Sequence, residues 1–226
     1  MREDNKIWFQ KNVELFQHLP HNETESLLNK CSVKEFKKSE ILFFPEDESN
    51  KIYVVKSGKV KVSKLSNKGK ELILSIYTSG DIFGELSISN QGKSEEIAEA
   101  ITTTEVYIIS TKDFISYAQK NAELAFSLAK LIAIRSAKIQ KRLESLYFKN
   151  TEERIKSFIR EMANEHGRKL ITGDEIEVNL KLKHEDIAKL TATTRQSVTT
   201  VLSQLEKDGI ILYDRNRILV KRMKSL

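Results

Sequence analysis

Between His184 and Glu206 the residue types suit reading hydrogen-bonding edges rather than making bonds. Val198, Val201, Leu202 and Leu205 recur at helical spacing, so Arg195 and Gln196 fall away from their apolar stripe. A guanidinium pairs bidentately with guanine O6 and N7, and a carboxamide does the same with adenine N6 and N7. Thr193, Thr194, Thr199 and Thr200 add small hydroxyls and methyls of the kind that meet phosphates or thymine methyls. That face carries almost no acid until Glu206. Just upstream, Ile187, Ala188 and Leu190 predict a short amphipathic helix over 184–190. Thr191-Ala192-Thr193 forms its turn, and Thr194 is placed to cap the second helix. Two short helices across a three-residue turn read as a helix-turn-helix; a helical pair inside another kind of domain has the same spacing. Ala192 stands where such turns usually favour Gly. Ile210 to Tyr213 and Arg217 to Val220 then predict a hairpin around Asp214-Arg215-Asn216, whose Arg215 or Arg217 can touch phosphate.

Other chemistry finds few carriers. There is no nucleophile–base pair, no metal-spaced ligand set and no phosphate-binding Gly-rich loop ending in Lys, so neither catalysis nor a metal centre is expected. The four histidines are scattered, and His184 belongs to the first helix of the pair. Cys31 is the single cysteine, which excludes an intrachain disulfide and a four-thiolate iron–sulfur cluster and fits a reducing cytosol. It reads as a small buried hydrophobe, with a redox switch as the alternative. No run of eighteen apolar residues occurs, and Met1 to Gln10 mixes acids and bases without an apolar centre. The chain is therefore expected to be cytoplasmic, with neither membrane span nor signal peptide. The formal charge of +6 is uneven: from Phe148 onward sixteen Lys and Arg face twelve Asp and Glu, a mild bias towards an anionic partner such as double-stranded DNA.

The elements that must position the helical pair change period along the chain. Ile7, Phe9, Val13 and Phe16 predict an apolar helical stripe ended by Leu19-Pro20, and Asn22 to Glu25 a cap before Leu27 and Leu28. From Val33 the period becomes two. Ile41 to Phe44, Ile52 to Val55, Val60 to Leu65, Leu72 to Tyr77, Ile97 to Ile101 and Val106 to Ile109 predict short strands separated by Gly and Asn turns, hence an antiparallel sandwich or barrel. Thr111-Lys112-Asp113 caps the approach to a long helix.

No Gly or Pro falls between Gly92 and Gly167, and that helix is predicted to run from Asn121 to Phe148, about 40 Å. Along it Ala125, Ala129, Ile132, Ser136, Ile139, Leu143 and Leu146 alternate steps of four and three, which is a heptad seam. Such a seam belongs either to an amphipathic helix packed on its own domain or to a helix joining two copies of the chain, and its length favours the homodimer. Beyond it Thr151-Glu152-Glu153 opens a helix carried by Ile155, Phe158, Ile159 and Met162 and ended by Gly167. Thr172-Gly173-Asp174 turns into a strand from Ile176 to Leu180.

Arg195-Gln196-Ser197-Val198 with its wing resembles the end of a Crp/Fnr-family bacterial regulator, the family of the cyclic-AMP receptor protein. Ile52 to Val62 around Gly58 is similar to that family's opening sandwich strands. Gly69-Lys70-Glu71 through Gly80-Asp81-Ile82-Phe83-Gly84-Glu85-Leu86 is similar to its effector cassette. The resemblance implies an α+β chain: a jelly-roll effector-sensing domain over 1–120, a dimerisation helix over 121–148 and a winged helix-turn-helix over 149–226. It implies transcription regulation on a pseudo-palindromic site, contact with RNA polymerase, and an effector-driven shift passed through a hinge near Phe148 to Thr151.

An effector pocket is implied at Phe83, Gly84, Glu85 and Leu86, completed by Glu95, Glu96, Ile139 and Gln140. The family's cyclic-nucleotide binders carry a phosphate-pairing Arg where Glu95 and Glu96 stand, and an adenine-contacting Thr-Ser at Ile139 and Gln140. Carboxylates repel a phosphate, and Ile cannot hydrogen-bond a base, so cyclic AMP is not expected here. Lys93, in the loop 89–94, is the nearest cation in sequence. Haem would need His18 or His21 and is not expected either. The effector is thus unidentified or absent. The rival reading is a cyclic-nucleotide-responsive regulatory subunit that does not bind DNA.

Overall fold

The computed structural model describes residues 2–17, 19–48, 50–89, 95–170, 175–179, 182–214 and 217–226. His18, Lys93, the turn at 172–174, Leu180, Arg215 and Asn216 lie outside them. The chain divides into two compact units, Met1–Ala137 and Lys138–Leu226.

The first unit begins with helices α1 (Arg2–Asn12) and α2 (His21–Leu28) around a 3-10 turn, Glu14–Phe16. Eight strands follow: β1 (Ser32–Phe36), β2 (Ile41–Phe43), β3 (Lys51–Ser57), β4 (Lys59–Leu65), β5 (Glu71–Thr78), β6 (Ile82–Phe83), β7 (Ile97–Ala100) and β8 (Thr104–Ser110). They pair antiparallel into two four-stranded sheets, ordered β1-β8-β3-β6 and β2-β7-β4-β5. The apolar run Ile52 to Val55 shows why. Tyr53 and Val55 point between the sheets with Val60, Val62, Phe83, Ala98, Ala100 and Val106. Ile52 and Val54 point to the other side, against Phe9, Val13, Phe16, Leu27, Phe114 and Leu124. A strand buried on both faces loses its alternation and reads as a continuous apolar run. From its apolar run β2 is expected to be buried, but it lies at a sheet edge next to Pro45, so its residues are only half-buried and Phe44 beyond it is exposed.

Helix α3 (Thr111–Lys120) leads to the long α4 (Ala122–Phe148). Three caps sit one or two residues earlier than the sequence suggested. Ser110 accepts from the Asp113 amide, Asn150 forms a capping box with Glu153, and Pro20 precedes α2 in place of an Asn cap. The cap residue itself is non-helical, so reading the first helical residue as the cap displaces the boundary.

The second unit holds the end of α4, then α5 (Thr151–His166), β9 (Gly167–Lys169), β10 (Ile176–Val178), α6 (His184–Leu190), α7 (Arg195–Lys207), β11 (Ile211–Tyr213) and β12 (Ile218–Val220). Its four strands form one antiparallel sheet ordered β11-β12-β10-β9. Ile155, Phe158, Ile159, Ile187, Val198, Leu202, Leu205, Ile211 and Val220 are buried as its core.

Along α4 two adjacent stripes have opposite fates. Leu124 is buried, and Leu128, Leu131, Arg135, Arg142 and Ser145 are half-buried. Every residue of the heptad seam, Ala125, Ala129, Ile132, Ser136, Ile139, Leu143 and Leu146, is exposed; its four large apolar members are between 41% and 62% exposed.

Gly84 ends β6 with φ +86°, and a Cβ there would lie 2.7 Å from the Lys51 carbonyl oxygen and 3.2 Å from the Tyr53 ring. Backbone shape alone therefore requires glycine at this position. Gly84→Ala is expected to destabilise the first unit by roughly 2 kcal/mol. A urea titration monitored by Trp8 fluorescence checks this, since Trp8 is the single tryptophan and packs on the first core. An unchanged midpoint would refute it.

Candidate nucleic-acid interface and effector pocket

The helical pair forms as its residues dictate. Thr191 closes α6 by donating its amide and its hydroxyl to the Ile187 carbonyl, at 2.9 and 2.7 Å. Ala192 takes a left-handed backbone, φ +50°, and the Thr193 amide then reaches the Ala188 carbonyl. Thr194 caps α7: its hydroxyl accepts from the Ser197 amide at 3.1 Å. The next residues, Arg195 and Gln196, are exposed, and with Thr199 and Thr200 they line one recess of about 550 Å³. Thr193 is half-buried in the turn and Thr194 is engaged as the cap.

Electrostatics favour an anion in that recess. The first turn of α7 carries no acid, whereas α3, α5 and α6 all do. A cation at the positive end of a helix is unfavourable until an anion joins it. The Thr199 hydroxyl has two neighbours, the Arg195 carbonyl at 3.0 Å and His184 Nδ1 at 2.8 Å, and its single proton serves one or the other according to the ring tautomer. Thr199 therefore offers its methyl, rather than a free hydroxyl proton, to a ligand. Burial and then the Arg195 charge hold the His184 ring below its usual 6.5.

The wing is fixed by its own charges. Arg217 donates to Asp214 at 2.8 Å through Nε and to Glu177 at 3.2 Å through Nη1. Two carboxylates already neutralise this guanidinium, so it braces the hairpin against β10.

In the first unit, Phe43, Tyr53, Phe83 and Tyr77 stack through the space between the sheets, with neighbouring ring centroids 4.9 to 5.5 Å apart. The Arg135 guanidinium of α4 ends this stack, 5.2 Å from the centre of the Tyr77 ring. It forms an ion pair with Glu85 and donates to the Ile82 carbonyl. Side-chain exposure is 21% for Arg135 and 12% for Glu85, so the pair is largely shielded from water. Glu96 faces the same group; burial and then the Glu85 charge push its carboxyl up. Glu95 does not join it, being exposed and paired with Lys64 at 2.6 Å. Phe83 is buried in the stack, whereas Leu86 is 61% exposed on the 3-10 turn Glu85–Ser89. Ile139 and Gln140 are exposed on α4, within the second unit.

Arg135 is a residue of this buried cluster that the sequence reading missed. Its signal was present: it lies four residues after Leu131 and seven before Arg142, a cation on the stripe of α4 that points inward. Among the described residues no His, Cys, Asp and Glu group is arranged to hold a metal ion, and no helix is long and apolar enough to cross a membrane. The Cys31 thiol is pushed up to about 12, by burial and then by Asp113, and donates to the Leu27 carbonyl. It is a packed group with little thiolate character.

Residues 33–121 match the model of the cyclic nucleotide-binding domain, and residues 153–226 match that of the Crp-like helix-turn-helix domain. The global nitrogen regulator of a Nostoc species is 27% identical over 196 residues, covering 86% of this chain and 87% of the relative. The cyclic AMP receptor protein of Thermus thermophilus is 24% identical over 201 residues, 89% of either chain. The structure of FixK2 from Bradyrhizobium japonicum shares the fold, with a TM-score of 0.76 at 23% identity over 86% of this chain and 94% of that one. With a sensor-type sandwich, a long helix and a winged helix-turn-helix in the same order as these relatives, the chain belongs to the Crp/Fnr family of DNA-binding transcription regulators.

Proposed function

We propose that the protein is a cytoplasmic homodimer that reads a pseudo-palindromic DNA site and regulates transcription without responding to cyclic AMP. The observation that carries the reading is the exposed recess of Arg195, Gln196, Thr199 and Thr200 at an acid-free helix start. Arg195 reads guanine, Gln196 reads adenine, Thr200 and the Thr199 methyl pack on thymine or phosphate, and the amides near Thr193 and Thr194 approach the backbone. Arg215, which lies between the two hairpin strands in sequence, takes the phosphate role, since Arg217 is held by Asp214 and Glu177. Two such helices, related by a twofold axis, enter successive major grooves about 34 Å apart.

The seam of α4 supports the homodimer. Ile132, Ile139, Leu143 and Leu146 are exposed on one heptad stripe, and a parallel copy of the same stripe covers them. The effector reading rests on Arg135. The carboxylate that the family's nucleotide binders offer to a ligand is already paired with a guanidinium of the same chain. A cyclic phosphate entering there would meet the Glu85 and Glu96 carboxylates, and the Arg135 guanidinium beside them is already paired with Glu85. RNA polymerase is the partner implied by family membership, and no catalytic turnover is expected.

The test is a fluorescence-anisotropy titration of the purified protein on genomic duplexes at two salt concentrations, with and without saturating cyclic AMP. Binding should weaken with salt and ignore the nucleotide. Binding that requires cyclic AMP would refute the effector reading, and absence of salt-dependent binding would refute the DNA reading. Arg195→Ala should lose roughly 1–3 kcal/mol at a preferred site and relax its sequence preference; an unchanged ratio of specific to scrambled binding would count against base contact. Leu143→Glu should give a monomer in sedimentation and weaken site binding at least tenfold, because each half-site then binds alone. A stable Leu143→Glu dimer would remove α4 as the interface.

Arg195→Ala also has a titration signature. With that charge gone the His184 pKa should climb towards 6.5, read from ring-proton shifts in NMR. The folded value lies below the unfolded one, so the stability tied to the neutral ring is present above about pH 6.5 and lost as pH falls through the folded value. No change in the His184 pKa would mean that burial alone sets it.

A further inference from the structure

The turn of the helix-turn-helix is held by two arginines that stand outside it. Arg142, on the last turns of α4, donates through Nη2 to the Leu190 carbonyl at 2.7 Å. Arg154, in the first turn of α5, donates through Nε to the Thr191 carbonyl at 3.1 Å and through Nη2 to the Ala192 carbonyl at 3.3 Å. Its Nη1 donates to the Lys149 carbonyl at 3.0 Å, in the short link between α4 and α5. Leu190, Thr191 and Ala192 are consecutive, and the end of an α-helix leaves such carbonyls without partners in its own backbone. Guanidinium groups satisfy all three.

Ala192 gives these bonds a specific task. It sits at φ +50°, a region that L side chains other than Asn and Asp avoid, where glycine would be free of strain. The hydrogen bonds to its own carbonyl and to that of Thr191 hold the peptide planes on either side of Ala192 in the orientation the turn needs. α7 begins three residues later, so a rotation at Ala192 would re-aim Arg195 and Gln196. Base contacts tolerate displacements of only about half an ångström, whereas non-specific binding depends on charge and tolerates far more.

We infer that Arg154, assisted by Arg142, is a positioning residue for DNA recognition: it holds the strained Ala192 turn and so sets the angle of α7 against the end of α4. The inference rests on α7 being the reading helix. Its bonds to the Lys149 and Thr191 carbonyls also mean that the link at 149–150 is tied to the turn, so a movement of the link is carried into α7.

The experiment uses the full chain and a duplex selected by the wild-type protein from a random library. Affinity for that duplex, affinity for a scrambled one, and the slope of log affinity against log salt are measured for Arg154→Ala, Ala192→Gly and the double variant. Arg154→Ala should weaken specific binding about tenfold while leaving scrambled binding and the salt slope unchanged. Ala192→Gly alone should bind as wild type, and in the double variant it should recover most of the loss. Arg154→Lys keeps the charge but not the fork, so it should behave as Arg154→Ala and carry the test if the alanine variant does not fold. Equal weakening of specific and scrambled binding with a shallower salt slope would overturn the inference in favour of a phosphate contact. Failure of Ala192→Gly to restore binding would overturn it in favour of another structural role. If the wild-type protein selects no duplex, it is the assignment of α7 as the reading helix that fails.

Discussion

A guanidinium withdrawn from water must find acceptors, and α4 turns two of them inward. Arg135 and Arg142 lie seven residues apart on the stripe that also holds Leu124, Leu128 and Leu131. Both are half-buried, so leaving either without a partner is costly. Arg135 meets Glu85, the Ile82 carbonyl and the Tyr77 ring in the first unit. Arg142 meets the Leu190 carbonyl in the DNA-binding unit. Each arginine is thereby tied to a site within its own unit, and the apolar seam beside them stays exposed. A helix packed only by leucines could slide by a rotamer; fixed forks on named carbonyls define one register.

The same logic explains why an alanine is tolerated where a glycine is the easier choice. A left-handed alanine costs free energy that must be recovered from its surroundings. Here the recovery is visible: the Thr193 amide, the Thr191 hydroxyl and the Arg154 guanidinium each close a hydrogen bond in or next to that turn. The strain and the arginine form one device, and a glycine would make the arginine less necessary while loosening the turn in the unfolded chain as well. The turn before α7 is thus held by a set of main-chain bonds rather than by extra apolar burial, which suits a short pair with few core positions.

How much of this is readable from sequence depends on which interactions are local. The helix-turn-helix, the Thr194 cap and the alternation of the strands come from neighbours a few residues apart, and those readings match the structure. The caps at Asn150 and Ser110 are displaced by one residue because side-chain pattern marks helix interiors better than ends. The pairing of Arg135 with Glu85 joins residues fifty apart and the arginine clamp joins 142 and 154 to 190–192, so no window of sequence contains either. Position on a helix announces that Arg135 points inward; only the fold announces its target.

Glu85 shows why a retained motif is weak evidence for a retained ligand. Gly84 is required by a positive φ and by the approach of the Lys51 carbonyl, with or without an effector. Once that turn is fixed, the residue after it points into a shielded space and needs either a ligand or an internal partner if it carries charge. Arg135 is such a partner, and its approach is compatible with the stacked rings of Tyr77 and Phe83 filling the same interior. Replacing an external ligand by a guanidinium on α4 also changes the effect of the contact: a ligand adds its binding energy only when present, whereas a covalently tethered group is always at high effective concentration. In the effector reading proposed above, the bond between this turn and α4 is permanent rather than conditional, and control rests on the amount of protein and on the strength of the proposed dimer.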